Sequence, residues 1–135
     1  MTYWKDSMLT GIEIIDTEHK KLVAAIDELM DACLKGQGRT KIEQTLKFVA
    51  DYTKQHFSDE EKLQAKYQYP AMAGHKLLHM QFITTVGSLE KEFQKDGPNI
   101  NLTSKLNKSL ADWLVKHIST EDKKLGDYIK SKGGK

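Results

Sequence analysis

The chain is 135 residues long, enough for one ordinary domain that buries a substantial core. Its 21 basic and 19 acidic residues give a net charge of only +2, and the lysines are scattered among acids, so we expect no nucleic-acid-binding or anionic-membrane-binding surface. A single cysteine, Cys33, excludes an intramolecular disulfide and any CxxC zinc or redox motif. Because the sequence shows no apolar signal segment and no run approaching the ~20 apolar residues of a membrane span, we expect a cytoplasmic protein.

The first half of the chain is predicted to form two long amphipathic helices. Asp16 is a plausible N-cap for the first, whose apolar residues recur at three- and four-residue steps until the segment GQGRT at 36–40. The second is expected from about Thr40 to Tyr67, because Pro70 disfavours helix for the residue before it. The short connection predicts that the two helices pack side by side in antiparallel orientation.

The second half continues the same pattern. Apolar positions alternate at steps of fours and threes from Met72 to Phe93, which predicts a third helix that stops at the turn DGPN, 96–99. A fourth helix is expected to include residues 106–117, and a shorter helical piece residues 120–131. The last residues, SKGGK, form a polar tail.

These elements predict an all-α fold, because no segment shows convincing strand alternation. Four helices of ~20 residues joined by short loops favour an up-down-up-down four-helix bundle. We expect one domain over 1–135, with an N-terminal arm at 1–15, the bundle at 16–118, and a short C-terminal helix and tail at 119–135.

All five histidines of the chain fall on the apolar stripes of their helices, and so does one glutamate. A lone core histidine is usually bonded to a backbone carbonyl. Six ionisable groups in one bundle core, however, destabilise the fold unless something pairs with them. The set therefore predicts a binding site in the core, formed by His19, His56, His75, His79, His117 and Glu60.

The spacing of these residues is typical of metal ligands. His56 and Glu60 lie four residues apart on one helix, as do His75 and His79 on the next, so each helix can offer a metal two ligands from one face. In an up-down-up-down bundle these pairs lie at the same end as His19, near the start of the first helix. All four helices would then point a histidine to one level of the bundle.

The segment HISTED adds a second carboxylate to this set. His117 and Asp122 are five residues apart, which on an uninterrupted α-helix places them roughly 140° apart. We therefore expect the helix to break after His117, with Ser119 or Thr120 as the N-cap of the next piece. A break there would let Asp122 reach the same site.

The number of donors predicts two metal ions. Five imidazoles and two carboxylates exceed the needs of one zinc ion, whose sites are usually four-coordinate. Two six-coordinate ions that share both carboxylates and one bridging oxide or hydroxide would keep one position open for a small ligand. Mixed imidazole and carboxylate donors suit iron(II), although manganese, cobalt and zinc remain possible on ligand type alone.

The residues that carry these features resemble the hemerythrin family, most closely its single-domain bacterial members, the bacteriohemerythrins. The resemblance covers nearly the whole chain: an N-terminal arm with Trp4, IDTEHKKL (15–22), HFSDEE (56–61), HKLLH (75–79) and WLVKHISTED (113–122). It implies that one iron takes His75, His79 and His117, that the other takes His19 and His56, and that Glu60 and Asp122 bridge them.

By the same resemblance, the cofactor is a pair of iron ions (Fe2+/Fe3+) with a bridging oxo or hydroxo group, and dioxygen binds reversibly as hydroperoxide at the two-histidine iron. Apolar residues close to the ligands would keep water and anions away from that iron. Ordinary core packing is the alternative explanation for each of these residues, and for Trp113 and Leu114 the two explanations are compatible. The expected oxygen-pocket residues are Leu22, Phe57, Trp113, Leu114 and Ile118.

The predicted function is an oxygen-binding protein, not an enzyme, that stores, delivers or senses dioxygen. The alternative is a di-iron oxidase, peroxidase or nitric-oxide-handling enzyme. Oxygen-activating bundle enzymes usually carry paired Glu-x-x-His motifs and more carboxylates, and this chain has no such pairing. We expect neither a nucleic-acid nor a membrane partner. The sequence does not identify a protein partner that would exchange oxygen or electrons with the chain, or that would respond to ligand binding at its metal site.

Overall fold

The computed structural model describes residues 4–134, and four helical rods in antiparallel order account for most of them. The first three rods are α1 (Glu13–Leu34), α2 (Arg39–Lys66) and α3 (Met72–Asp96). Consecutive rods pack against each other, and the fourth closes the bundle against the first. No strand occurs between residues 4 and 134. The predicted all-α bundle is therefore confirmed.

The fourth rod is one continuous helical path with two π-helical turns, and no break occurs after His117. Its segments are α4 (Ile100–Leu106), π1 (Asn107–Asp112), α5 (Trp113–His117), π2 (Ile118–Asp122) and α6 (Lys123–Ser131). His117, Ile118, Asp122 and Lys123 all keep right-handed helical backbone angles. The predicted break with a new N-cap at Ser119 or Thr120 is wrong. The predicted C-terminal helix is present and follows π2 directly.

The start of α1 also differs from the prediction. The helix begins at Glu13, and Ile12, not Asp16, occupies the N-cap position. The Asp16 carboxylate instead accepts hydrogen bonds from the Thr10 backbone N–H (2.8 Å), the Thr10 hydroxyl (2.7 Å) and the Gly11 N–H (3.0 Å). These hydrogen bonds from Thr10 and Gly11 to Asp16 hold the N-terminal arm against the first turns of α1.

The apolar core has two parts that flank the level of the histidines. Along α1, Ile15 belongs to a small cluster near the arm and Leu22 to the main core of the bundle, with His19 between them. The small cluster also includes Leu125 of α6, and α6 approaches the arm so closely that a Cβ on Gly126 would lie 2.7 Å from the Thr10 carbonyl oxygen. The arm and α6 therefore cover one side of the buried polar layer. Among residues 4–134 we find no helix with the length and apolar character that a membrane span requires.

Candidate metal centre

The structure brings together the seven side chains that the sequence analysis nominated as ligands. They form two overlapping groups, and within each group one potential ligand atom per residue lies within 4.8 Å of all the others. Both groups are buried, with no residue more than 4% exposed. One contains Glu60, His75, His79, His117 and Asp122, and the other contains His19, His56, Glu60 and Asp122.

Glu60 divides its two carboxylate oxygens between the two groups of histidines. Its Oε1 lies 3.0 Å from Nε2 of His75 and 3.2 Å from Nε2 of His79. Its Oε2 lies 3.3 Å from Nε2 of His56 and 3.6 Å from Nε2 of His19. One carboxylate therefore faces two separate sets of imidazoles.

Asp122 makes the same division. Its Oδ1 lies 2.9 Å from Nε2 of His75 and 3.1 Å from Nε2 of His117, and its Oδ2 lies 3.0 Å from Nε2 of His19. The Nε2 atoms of His75 and His117 also face each other at 3.1 Å. Two imidazole nitrogens and a carboxylate oxygen therefore lie within 3.1 Å of one another.

The π2 turn is what brings Asp122 to this point. In a π-helical turn the backbone bond runs from residue i to i+5, so each turn contains more residues than an α-helical turn. His117 and Asp122, five positions apart, therefore come to the same face of the rod without any break. Such turns recur at functional sites in other proteins.

The donor set fits a metal better than it fits a network of hydrogen bonds. Although the atoms are close, both oxygens of Glu60, both oxygens of Asp122, and Nε2 of His19, His56 and His79 have no well-aligned hydrogen-bond partner. Buried polar atoms are nearly always paired in folded proteins. Two buried carboxylates also require positive charge nearby. Divalent cations bound by imidazole nitrogen and carboxylate oxygen would satisfy both requirements.

Without a metal, nearby carboxylates hold protons on two of the imidazoles, His56 and His75. Burial lowers the pKa of His56, but the contacts with Glu18 and Glu60 outweigh burial and raise this pKa to about 10. Burial also lowers the pKa of His75, yet its contacts with Asp122 and Glu60 raise this pKa to about 9. Conversely, burial alone would raise the pKa of Glu60, and the surrounding imidazoles hold it well below its usual range.

Two further carboxylates, which the sequence analysis did not nominate, contact the outer nitrogens of the histidines. Glu18 Oε1 lies 2.9 Å from Nδ1 of His56, and Glu61 Oε2 lies 3.1 Å from Nδ1 of His79. Glu61 follows Asp59 and Glu60 directly, and the sequence pattern alone did not indicate a separate role for it. The feature of the sequence that could have indicated these contacts is position, because each glutamate is adjacent in sequence to a residue of the site.

Aromatic rings line one side of the centre. Phe57 stacks on the His79 ring with centroids 3.7 Å apart, and Trp113 stacks on the His117 ring at 4.5 Å. Phe82, one turn after His79 and not among the predicted pocket residues, stacks on Trp113 at 4.3 Å. The predicted pocket residues Leu22, Phe57, Leu114 and Ile118 are at most 2% exposed, and Trp113 is half-buried.

Comparisons with a family model, with known sequences and with solved structures each match almost the whole chain. Residues 10–129 match the family model described as "Hemerythrin HHE cation binding domain". Bacteriohemerythrin of Stenotrophomonas maltophilia is 31% identical over 128 residues, 95% of this chain and 81% of that protein. Bacteriohemerythrin of Pseudomonas aeruginosa is 33% identical over 127 residues, 94% of this chain and 80% of that protein. A solved wild-type hemerythrin superimposes on this chain with a TM-score of 0.83 and is 29% identical to it in sequence. The alignment covers 96% of this chain and 97% of the hemerythrin chain.

Proposed function

Because this chain belongs to the hemerythrin family, we propose that it is a non-haem di-iron protein that binds dioxygen reversibly for storage, delivery or sensing. The observation that carries the proposal is the division of the Glu60 and Asp122 oxygens between two groups of imidazoles. With this arrangement both carboxylates would be able to hold two adjacent metal ions together. His75, His79 and His117 would hold one iron, and His19 and His56 the other.

The two positions differ in the number of donors that the protein offers. The three-histidine position receives three nitrogens and two carboxylate oxygens, whereas the two-histidine position receives two nitrogens and two oxygens. The second position therefore has more room for a small ligand, and we assign dioxygen binding to it. When bound, the iron pair supplies the two electrons that dioxygen takes up on binding and returns on release.

The protein contributes neutral donors and a dry environment. Five imidazoles leave only two anionic ligands, a set that favours iron(II) over the higher oxidation states on which carboxylate-rich enzymes depend. The buried apolar residues around the centre limit the access of water and anions. Both features support reversible binding in preference to turnover.

Anaerobic loading tests this proposal. The chain is mixed with two equivalents of iron(II), and visible spectra are taken before oxygen, in oxygen and after oxygen is removed. We expect a charge-transfer band that appears with oxygen and disappears without it. An irreversible ferric spectrum with steady consumption of oxygen and added reductant would instead establish a di-iron oxidase.

Leu114→Ala is expected to keep both irons and to oxidise irreversibly faster than the wild type. Leu114 is 2% exposed, three residues before His117, and truncation would admit water to the proposed oxygen pocket. The measurement is the rate at which the oxygenated spectrum decays in air. Leu106→Ala is the matched control, since Leu106 is fully buried in the same rod but two turns further from His117. Both variants should lose about 2–5 kcal/mol of unfolding free energy. Equal decay rates in the two variants would therefore show that Leu114 does not line the oxygen pocket.

A further inference from the structure

Glu18 and Glu61 lie just outside the seven-residue centre, and each contacts an imidazole on a neighbouring helix. Glu18 of α1 approaches His56 of α2, and Glu61 of α2 approaches His79 of α3. The two glutamate side chains are 16% and 22% exposed, so both lie at the border between the core and solvent. Their partners are 1% exposed.

The two contacts use the nitrogen that faces away from the centre. A histidine that binds a metal through Nε2 carries its proton on Nδ1, and a carboxylate that accepts this proton fixes the tautomer and the ring orientation. It also makes the ligating nitrogen more basic. Glu18 and Glu61 are placed to do this for His56 and His79.

His19 and His75 do not share this arrangement. Nδ1 of His19 and Nδ1 of His75 are buried without a hydrogen-bond partner. His56 and His19 belong to the proposed two-histidine position, and His79 and His75 to the three-histidine position. Each metal position therefore has one imidazole backed by a carboxylate and at least one that is not.

We infer that Glu18 and Glu61 are positioning residues, one for each iron, that hold His56 and His79 in the tautomer and orientation needed for metal binding. The inference rests on the proposed di-iron function and deepens it. Because each glutamate serves one position, removal of either should weaken one iron and spare the other. A glutamate that merely stabilised the fold would affect both positions alike.

Anaerobic iron(II) titration of four variants tests the inference. Glu18→Ala and Glu61→Ala should each weaken one of the two bound irons by about 10–100-fold, the usual effect of losing such a contact. Glu18→Gln and Glu61→Gln should restore most of the affinity, because the amide oxygen can still accept from Nδ1. The effect of the Glu61 variants is easier to interpret, since Glu18 also interacts with Asp59.

The matched control is Glu43→Ala, an exposed glutamate of α2 more than three turns before Glu60. Mössbauer spectra of chains loaded with 57Fe should show one iron altered in each Ala variant and neither altered in Glu43→Ala. The Gln variants should also raise the reduction potential of the pair, because they keep the contact but remove its negative charge. Thermal melting checks that every variant folds.

The outcomes separate this inference from the proposed function. If both Ala variants bind two irons with the affinity and spectra of Glu43→Ala, the positioning role is overturned while the di-iron function stands. If the wild-type chain binds no iron, both fail. If an Ala variant does not fold, the matching Gln variant decides: an unchanged potential and unchanged spectra overturn the inference.

Discussion

Glu60→Ala is expected to lose both iron ions, whereas His79→Ala should lose only the iron at the three-histidine position. Glu60 faces His75 and His79 with one oxygen and His19 and His56 with the other. Its removal therefore takes a donor from both positions at once and leaves buried imidazoles without their counter-charge. His79 serves one group alone.

Iron per chain after anaerobic loading and desalting measures the difference. We expect about two irons for the wild type, about one for His79→Ala and almost none for Glu60→Ala, because loss of a direct ligand should weaken binding more than the roughly 10–100-fold that follows loss of an outer contact. Glu60→Gln separates charge from shape, because it keeps the volume and one oxygen acceptor. Retention of one tightly bound iron in Glu60→Ala would contradict the bridging role and assign Glu60 to a single position.

The convergence of the histidines could be predicted because it depends on regular geometry. His56 and Glu60, and likewise His75 and His79, share a helix face through the four-residue step, and antiparallel packing brings both pairs to the level of His19. Neither inference needs a side-chain conformation. The periodicity of apolar residues was therefore sufficient to place these groups together.

The route by which Asp122 reaches the site could not be predicted from the same rules. The expected break assumed that Ser119 or Thr120 would cap a new helix, as their hydroxyls often do. In the structure the Thr120 hydroxyl donates to the Lys116 carbonyl at 2.7 Å, a bond within the rod that removes the need for a cap. Capping and back-bonding use the same residue types, so composition alone does not distinguish a break from a π turn.

The contacts of Glu18 and Glu61 could not be predicted from the sequence for a different reason. Each depends on the rotation of one helix against its neighbour, and sequence periodicity fixes that rotation only to the nearest face. Glu60 and Glu61 are adjacent, yet one points into the centre and the other reaches His79 from outside. The sequence pattern could distinguish the buried glutamate from its neighbour but could not assign a partner to the second.

Iron affinity is expected to rise steeply with pH between about 7 and 9. Free imidazole titrates near 6.5, but in the metal-free site the pKa of His56 is raised to about 10 and that of His75 to about 9. Iron binds only the neutral ring, so each ion must displace a proton at neutral pH. Below the raised pKa, each displaced proton makes the apparent affinity about tenfold weaker per pH unit.

Chelator competition, corrected for protonation of the chelator, measures this dependence. The slope should end near pH 9 for the position that contains His75 and near pH 10 for the position that contains His56. Calorimetry in buffers of different ionisation enthalpy should show protons released on iron binding at pH 7.5. A constant affinity from pH 7 to 9, or a loss of iron only below pH 6.5, would mean that the carboxylates do not hold His56 and His75 protonated.

Thermal stability should move in opposite directions with and without metal. In the metal-free chain the raised pKa values of His56 and His75 contribute stability that is fully present below pH 6.5 and is lost as the pH rises through about 9 to 10. In the iron-loaded chain tighter binding at higher pH stabilises the fold by mass action. The gap between the two melting temperatures should therefore widen from pH 6.5 to 9, and a constant gap would show that iron and protons do not compete for the same nitrogens.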